Sequence, residues 1–186
     1  RMSEVKTNKI TSLASNNNLV IDPNGTGLFL PNRTPTFFAE LSSDQTINDA
    51  TETVVQFATE DFDIGGIWDN SNYRLTVDAN TLGYYHISCY LLATGSNNIE
   101  DMYIRLRKNG STYIETYNAS RVSSASATTT DASLWFSVAI PLTTSGDYAD
   151  VTVTADRSSG GTTLINQINT SGRSRTFISG FRLGGA

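Results

Sequence analysis

The sequence predicts an all-β fold, a sandwich or jelly roll of short antiparallel strands. Two observations carry that reading. After residue 35, apolar and polar residues alternate with a period of two over most of the chain, the mark of strands with one buried face. Turn signals rich in Gly, Asn, Asp and Pro separate these runs at short intervals. No stretch shows the 3.6-residue apolar spacing of an amphipathic helix.

The elements follow in order. Phe37 to Leu41, Thr53 to Ala58 and Tyr73 to Val77 read as short strands. From Gly83 to Leu92, Tyr85, Ile87, Cys89 and Leu91 share one face, while Tyr84, His86, Ser88 and Tyr90 share the other. Met102 to Lys108 and Ser111 to Tyr117 read as further strands, with a turn signal at Gly110 between them. Leu134, Phe136, Val138, Ile140 and Leu142 form the inward set of the next strand. Val151 to Ala155 follows, and Phe177, Ser179, Phe181 and Leu183 align in the last. With roughly nine or ten strands, the chain suits two packed sheets.

Residues 1–34 read differently. Ile10-Thr11-Ser12-Leu13-Ala14, Asn18-Leu19-Val20-Ile21-Asp22 and Leu28-Phe29-Leu30 suggest short strands around the turn Pro23-Asn24-Gly25-Thr26-Gly27. Two or three such strands cannot bury a core alone. The organisation expected is an N-terminal attachment or oligomerisation segment, 1–34, and a head, 35–186, with Pro31-Asn32-Arg33-Thr34-Pro35 at the boundary.

Composition bounds the function. The 186-residue chain is 38% hydrophobic and 17% charged, with a net charge of −5. No basic field exists to drive binding to nucleic acid or to an anionic membrane. No apolar run approaches the roughly 20 residues that span a bilayer. The polar start, Ser3-Glu4-Val5-Lys6-Thr7-Asn8, does not read as a signal peptide. A single cysteine, Cys89, allows no intrachain disulfide and suits synthesis in a reducing cytoplasm.

The ordered series of motifs resembles the globular C1q head of the C1q and tumour-necrosis-factor superfamily. It comprises Phe37-Phe38-Ala39-Glu40-Leu41, Val55-Gln56-Phe57 with Asp61-Phe62-Asp63, and Gly66-Ile67-Trp68-Asp69. Gly83-Tyr84-Tyr85-His86-Ile87, Lys108-Asn109-Gly110, Gly146-Asp147-Tyr148-Ala149-Asp150-Val151 and Phe177-Ile178-Ser179-Gly180-Phe181 complete it. Trp68 stands where Tyr is usual and Ile87 where Phe is usual. The resemblance covers residues 35–186 and implies a C1q/TNF-like jelly roll that works as a homotrimer and binds rather than reacts. The wording Thr7-Asn8-Lys9-Ile10 followed by Leu19-Val20-Ile21-Asp22-Pro23-Asn24-Gly25-Thr26-Gly27 resembles the N-termini of tail-fibre-like structural proteins of marine tailed bacteriophages.

Candidate sites come from strand faces and loops. Tyr84, His86 and Tyr90 form an aromatic face suited to a trimer interface. Loop residues with flat rings or fixed donors are the ligand-contact candidates: Trp68, Asp69, Tyr117, Arg121, Asn166, Gln167, Asn169, Arg173 and Arg175. Glu60, Asp61 and Asp63 supply hard oxygens for a structural calcium ion, and no other cofactor is expected. No nucleophile elbow, phosphate loop or zinc-spaced Cys/His cluster occurs, so an enzyme is not expected.

The leading expectation is a non-enzymatic bacteriophage virion protein made in the host cytoplasm. It would be a trimeric fibre or decoration, attached to other virion proteins through residues 3–34, with a head binding a host-surface glycan or protein. The alternatives are a secreted lectin-like C1q-domain protein of a cellular organism and a polysaccharide depolymerase using Glu60, Asp61 or Asp63.

Overall fold

A computed structural model describes residues 34–95, 99–119, 131–157, 160–165 and 175–185, all within the unit Arg33–Ala186. The strands expected before residue 34 lie outside the described residues. Those described form β1 (Thr36–Glu40), β2 (Gln45–Asn48), β3 (Thr53–Val54), β4 (Thr59–Ile64), β5 (Trp68–Asp69), β6 (Arg74–Thr76) and β7 (Gly83–Gly95). They continue with β8 (Ile99–Lys108), β9 (Ser111–Ala119), β10 (Asp131–Leu142), β11 (Tyr148–Arg157), β12 (Thr162–Ile165) and β13 (Phe177–Gly184).

Two antiparallel sheets face each other. Sheet A is built around the long β7, which pairs with β10 along one side, from Gly83↔Leu142 to Thr94↔Asp131. Its other side is shared: β13 pairs with Tyr84 to Tyr90, and β12 with Ala93 to Gly95. β1 and β4 then extend the β13 arm, and β2 the β12 arm. Sheet B runs β5-β6-β11-β8-β9, with β3 also on β11.

The period-two alternation becomes the core directly. Tyr85, Ile87, Cys89 and Leu91 of β7, with Leu134, Phe136, Ile140 and Leu142 of β10, meet Met102, Ile104 and Leu106 of β8 and Val151 and Val153 of β11. Each fully buried side chain of this size contributes roughly 1.5–3 kcal/mol by leaving water. Val138, expected in this set, is only partly buried.

The motif pair Lys108-Asn109-Gly110 and Gly146-Asp147-Tyr148 turns out to be one device. Asn109 and Gly110 both take positive φ, 50° and 79°, as the β8–β9 hairpin turn requires. The Asn109 side chain donates to Asp147 Oδ1 at 2.8 Å and accepts from the Tyr148 N–H at 2.9 Å. Asp147 Oδ2 in turn accepts from the N–H groups of Thr143 and Thr144. Two turns distant in sequence thus satisfy each other's backbone groups.

Four strands depart from expectation. β2, β4, β5 and β12 carry no clear apolar alternation. β4 (TEDFDI) ends its arm of sheet A, and such an edge tolerates charge because only one side must pair. β12 lies between Ala155 and Phe177, where no strand was expected, and its Thr163 and Ile165 are buried. The expected strand Thr53 to Ala58 shortens to Thr53–Val54.

Candidate functional site

The outward faces of the two sheets differ in chemistry, and that difference defines the site. On sheet B the outward rows are mostly polar, and their arginines lie beside carboxylates. Arg107 binds Asp150 through two hydrogen bonds of 2.8 and 2.6 Å, which hold the guanidinium above its ordinary pKa against the cost of burial. Arg105 binds Glu115 at 2.6 Å and Thr154 at 3.2 Å. Glu52 accepts from Thr152 and lies 3.7 Å from both arginines. Tyr103 and Tyr117 stack at 4.7 Å. This is a face built for solvent.

Sheet A presents the opposite character. Cross-strand pairing places side chains of five adjacent strands in rows. One row runs Trp135–Tyr90–Phe177–Glu40, the next Ser137–Ser88–Ser179–Phe38–Phe62, and the third Ala139–His86–Phe181–Thr36–Ile64. The rings touch along the rows and between them. Tyr90 and Phe177 are 6.1 Å apart, Phe177 and Phe38 5.4 Å, and Phe38 and Phe62 6.2 Å. Trp135 is 65% exposed on β10, Phe62 and Ile64 are exposed on β4 four strands away, and Tyr84, Phe181 and Leu183 are exposed on the strands between. So broad an apolar face on a single chain invites association.

The sequence-derived candidates fall on this structure unevenly. Tyr84, His86 and Tyr90 all lie on the aromatic face. His86 has more company than expected: Ser137 Oγ is 3.0 Å from its Nε2, and Ser88 Oγ is 2.9 Å from Ser137 Oγ. Phe181 packs on the imidazole at 5.3 Å. Trp135, Phe62, Ile64 and Leu183 add exposed apolar surface beyond the sequence-derived candidates. Alternation alone could have found Trp135, which sits between Leu134 and Phe136 on the outward parity.

Trp68 is a correction. It was expected as a stacking surface in a loop, but it is 7% exposed. Its ring lies against Phe37 at 4.8 Å, and its indole N–H donates to the Phe57 carbonyl. Asp69 closes the local turn by accepting from the N–H groups of Ser71 and Asn72 and from the Asn72 side chain. The Asn72 side-chain bond is foremost in keeping its carboxyl below the usual range.

The acidic triplet does not gather. Asp63 accepts from the N–H groups of Ile67 and Trp68 across the Gly65-Gly66 turn, Glu60 accepts from Asn70, and Asp61 is the extra residue at the β4 bulge. Strand geometry separates neighbouring side chains onto opposite faces. Among the described residues, no group of three His, Cys, Asp or Glu side chains is placed to hold a metal ion.

Tyr117 projects from β9, with its hydroxyl donating to Asp101, and Arg175 is exposed just before β13. Arg121, Asn166, Gln167, Asn169 and Arg173 lie outside the described residues. The strand ends flanking those stretches lie at one end of the sandwich, since Asp131 pairs with Thr94, Asp101 with Ala119 and Asp156, and Leu164 with Thr94. Trp68 belongs to the row Leu75–Ala149–Lys108 at the opposite end.

Together these features define a TNF-like jelly roll with one polar and one aromatic outer face. The structure of Eiger TNF from S. frugiperda is similar, with a TM-score of 0.58 at 14% identity, over 83% of this chain and 94% of that one. Murine APRIL, crystallised at pH 5.0 and at pH 8.0, gives a TM-score of 0.55 at 13% and 14% identity, over 81% of this chain and all of that one. No family model matches the sequence, and no curated protein matches it. The likeness bears on the fold, which is the one the C1q-like motif series implied.

Proposed function

We propose that the chain is a non-enzymatic binding head that self-associates as a homotrimer through the outer face of sheet A. One observation carries this reading: a five-strand aromatic surface exposed on the single chain, beside a sheet B face whose charges are already paired. Closed cyclic symmetry is the usual way such a face is covered without leaving a growing edge. Three copies would then repeat, three times over, the end of the sandwich where Thr94, Asp101, Ala119 and Asp131 lie. Weak contacts to a repetitive surface gain avidity from that repetition.

The finer part of the proposal is a tailed-phage virion role, a short fibre or decoration held by residues 3–34 and facing a host-surface glycan or protein. Its support is the phrase Leu19-Val20-Ile21-Asp22-Pro23-Asn24-Gly25-Thr26-Gly27 and the single-cysteine composition.

The interface is tested with Trp135→Glu and Leu183→Glu, both at positions exposed on the single chain, and Tyr117→Glu on sheet B as control. Light scattering should give a single-chain mass for the first two and the wild-type mass for the control. Folded sheet A variants that keep the wild-type mass would remove the proposed interface. Immunogold labelling of phage particles with antibody to the head tests the virion role, which is withdrawn if no particle carries label.

A further inference from the structure

We propose that the aromatic face carries an acid-sensitive latch centred on His86, so that self-association weakens when this imidazole takes up a proton. The inference rests on the trimer reading above and adds its regulation.

His86 is the chain's single histidine, and histidine is the side chain whose charge ordinarily changes between about pH 5 and 8. It sits on β7, between β10 and β13 of the aromatic face, half-buried even in one copy. One ring nitrogen is committed to Ser137, which is itself bonded to Ser88. The ring is covered on one side by Phe181.

What surrounds His86 decides the sign. Along its own strand, Tyr84 and Ser88 share its face. From β10 it meets Ser137 and Ala139, and from β13 Ser179 and Phe181. These groups are all uncharged at neutral pH, Tyr84 being the titratable one. On the same face, Glu40 lies two strands across and four residues along, on the order of 16 Å by strand spacing and rise, beyond a Debye length at physiological salt. Arg182, next to Phe181, turns toward the carbonyls of Asn80 and Leu82, and a cation there does nothing to favour a second one.

A neutral imidazole suits this setting better, because it brings no charge to be buried and its Nε2 is already bonded to Ser137. An imidazolium would bring one. Covering the face with another copy would bury a positive charge with hydroxyls and rings as its partners on this chain, and a buried charge without a counter-charge is costly. In a symmetric trimer the cost arises three times at once.

Bulk electrostatics runs the other way, which makes the effect separable. The net charge is −5 at neutral pH, so mild acid lowers repulsion between copies and by itself favours association. Dissociation on acidification therefore requires a specific group.

The test is sedimentation of the full chain over a dilution series at about pH 8 and about pH 5.5, for wild type, His86→Phe and His86→Gln. Wild type should need about tenfold or more protein to stay associated at the lower pH. Both variants should show no acid weakening, since Phe keeps the flat ring and Gln keeps a polar partner for Ser137, and neither titrates. Wild type associated equally at both pH values would overturn the latch and leave the trimer standing, as would acid weakening that persists in both variants. A wild type that is a single chain at about pH 8 removes the trimer reading and the latch with it.

Discussion

Replacing Gly180 with alanine should destabilise the head even though it adds only one methyl group. Gly180 lies in β13 on the inward face, paired with Ile87 on one side and Phe37 on the other. A Cβ there would stand 2.7 Å from Phe37 Cε1 and 2.9 Å from the His86 carbonyl oxygen. Neither neighbour can give easily. The carbonyl belongs to the central strand of sheet A, and the Phe37 ring is 1% exposed and stacked on Trp68. Overpacking of this kind costs about 1–3 kcal/mol, and two rigid contacts argue for the upper end. Against it stand about 0.8 kcal/mol for one more buried carbon and about 0.4–1 kcal/mol from a less flexible unfolded chain. The net expectation is a loss of about 1–2 kcal/mol. Urea unfolding at one fixed protein concentration should show a lower midpoint with an unchanged slope. Gly184→Ala, where a Cβ would meet nothing within 4 Å, serves as control. A Gly180→Ala variant within about 0.5 kcal/mol of wild type would refute the packing described for the Phe37–Trp68 pair.

The remaining predictions concern the same framework. Asp147→Asn should cost about 1–3 kcal/mol at neutral pH, because it disturbs the turn that Asn109, Thr143, Thr144 and Lys108 share. Burial pushes the Asp147 carboxyl up, but the bonds from Asn109, Thr144 and Lys108 outweigh it and leave its pKa below the ordinary 3.8. Its contribution is therefore fully present above about pH 4 and lost as pH falls through the lower folded value, so the variant's deficit should shrink as pH is lowered below about 4 in urea titrations. Trp68→Ala should cost about 3–5 kcal/mol by emptying the space beside Phe37 and Phe57, measured the same way. Cys89 is buried and its thiol is pushed well above its usual range by that burial. It should react with a thiol reagent only as fast as the protein unfolds, and prompt reaction in native buffer would contradict its placement.

The residues legible in sequence were those whose role is set by strand parity. Tyr85, Ile87, Cys89 and Leu91 alternate cleanly because β7 is buried on one side over its whole length, and the outward Tyr84, His86 and Tyr90 follow from the same count. Trp68 was misread because Gly66-Ile67-Trp68-Asp69 looks like a loop. It takes the Phe37 ring and the Phe57 carbonyl, distant in sequence, to draw it inside. Glu60, Asp61 and Asp63 read as a cation cluster because proximity along the chain mimics proximity in space. An extended strand separates what a turn would gather. The breadth of the aromatic face was also hidden, since Trp135, Tyr90, Phe177, Phe38 and Phe62 become neighbours only once β10, β7, β13, β1 and β4 are set side by side.

The account's central claim, that copies of this chain cover one another's aromatic face, is tested most directly by the fluorescence of Trp135. The chain has two tryptophans: Trp68 is buried in every state, whereas Trp135 is 65% exposed on a single chain. At micromolar concentration the emission should be blue-shifted and resistant to acrylamide. On dilution it should shift red and become quenchable as the measured mass falls from three times the 20.2 kDa chain to one. A freely quenched Trp135 and a single-chain mass at every concentration would contradict the claim.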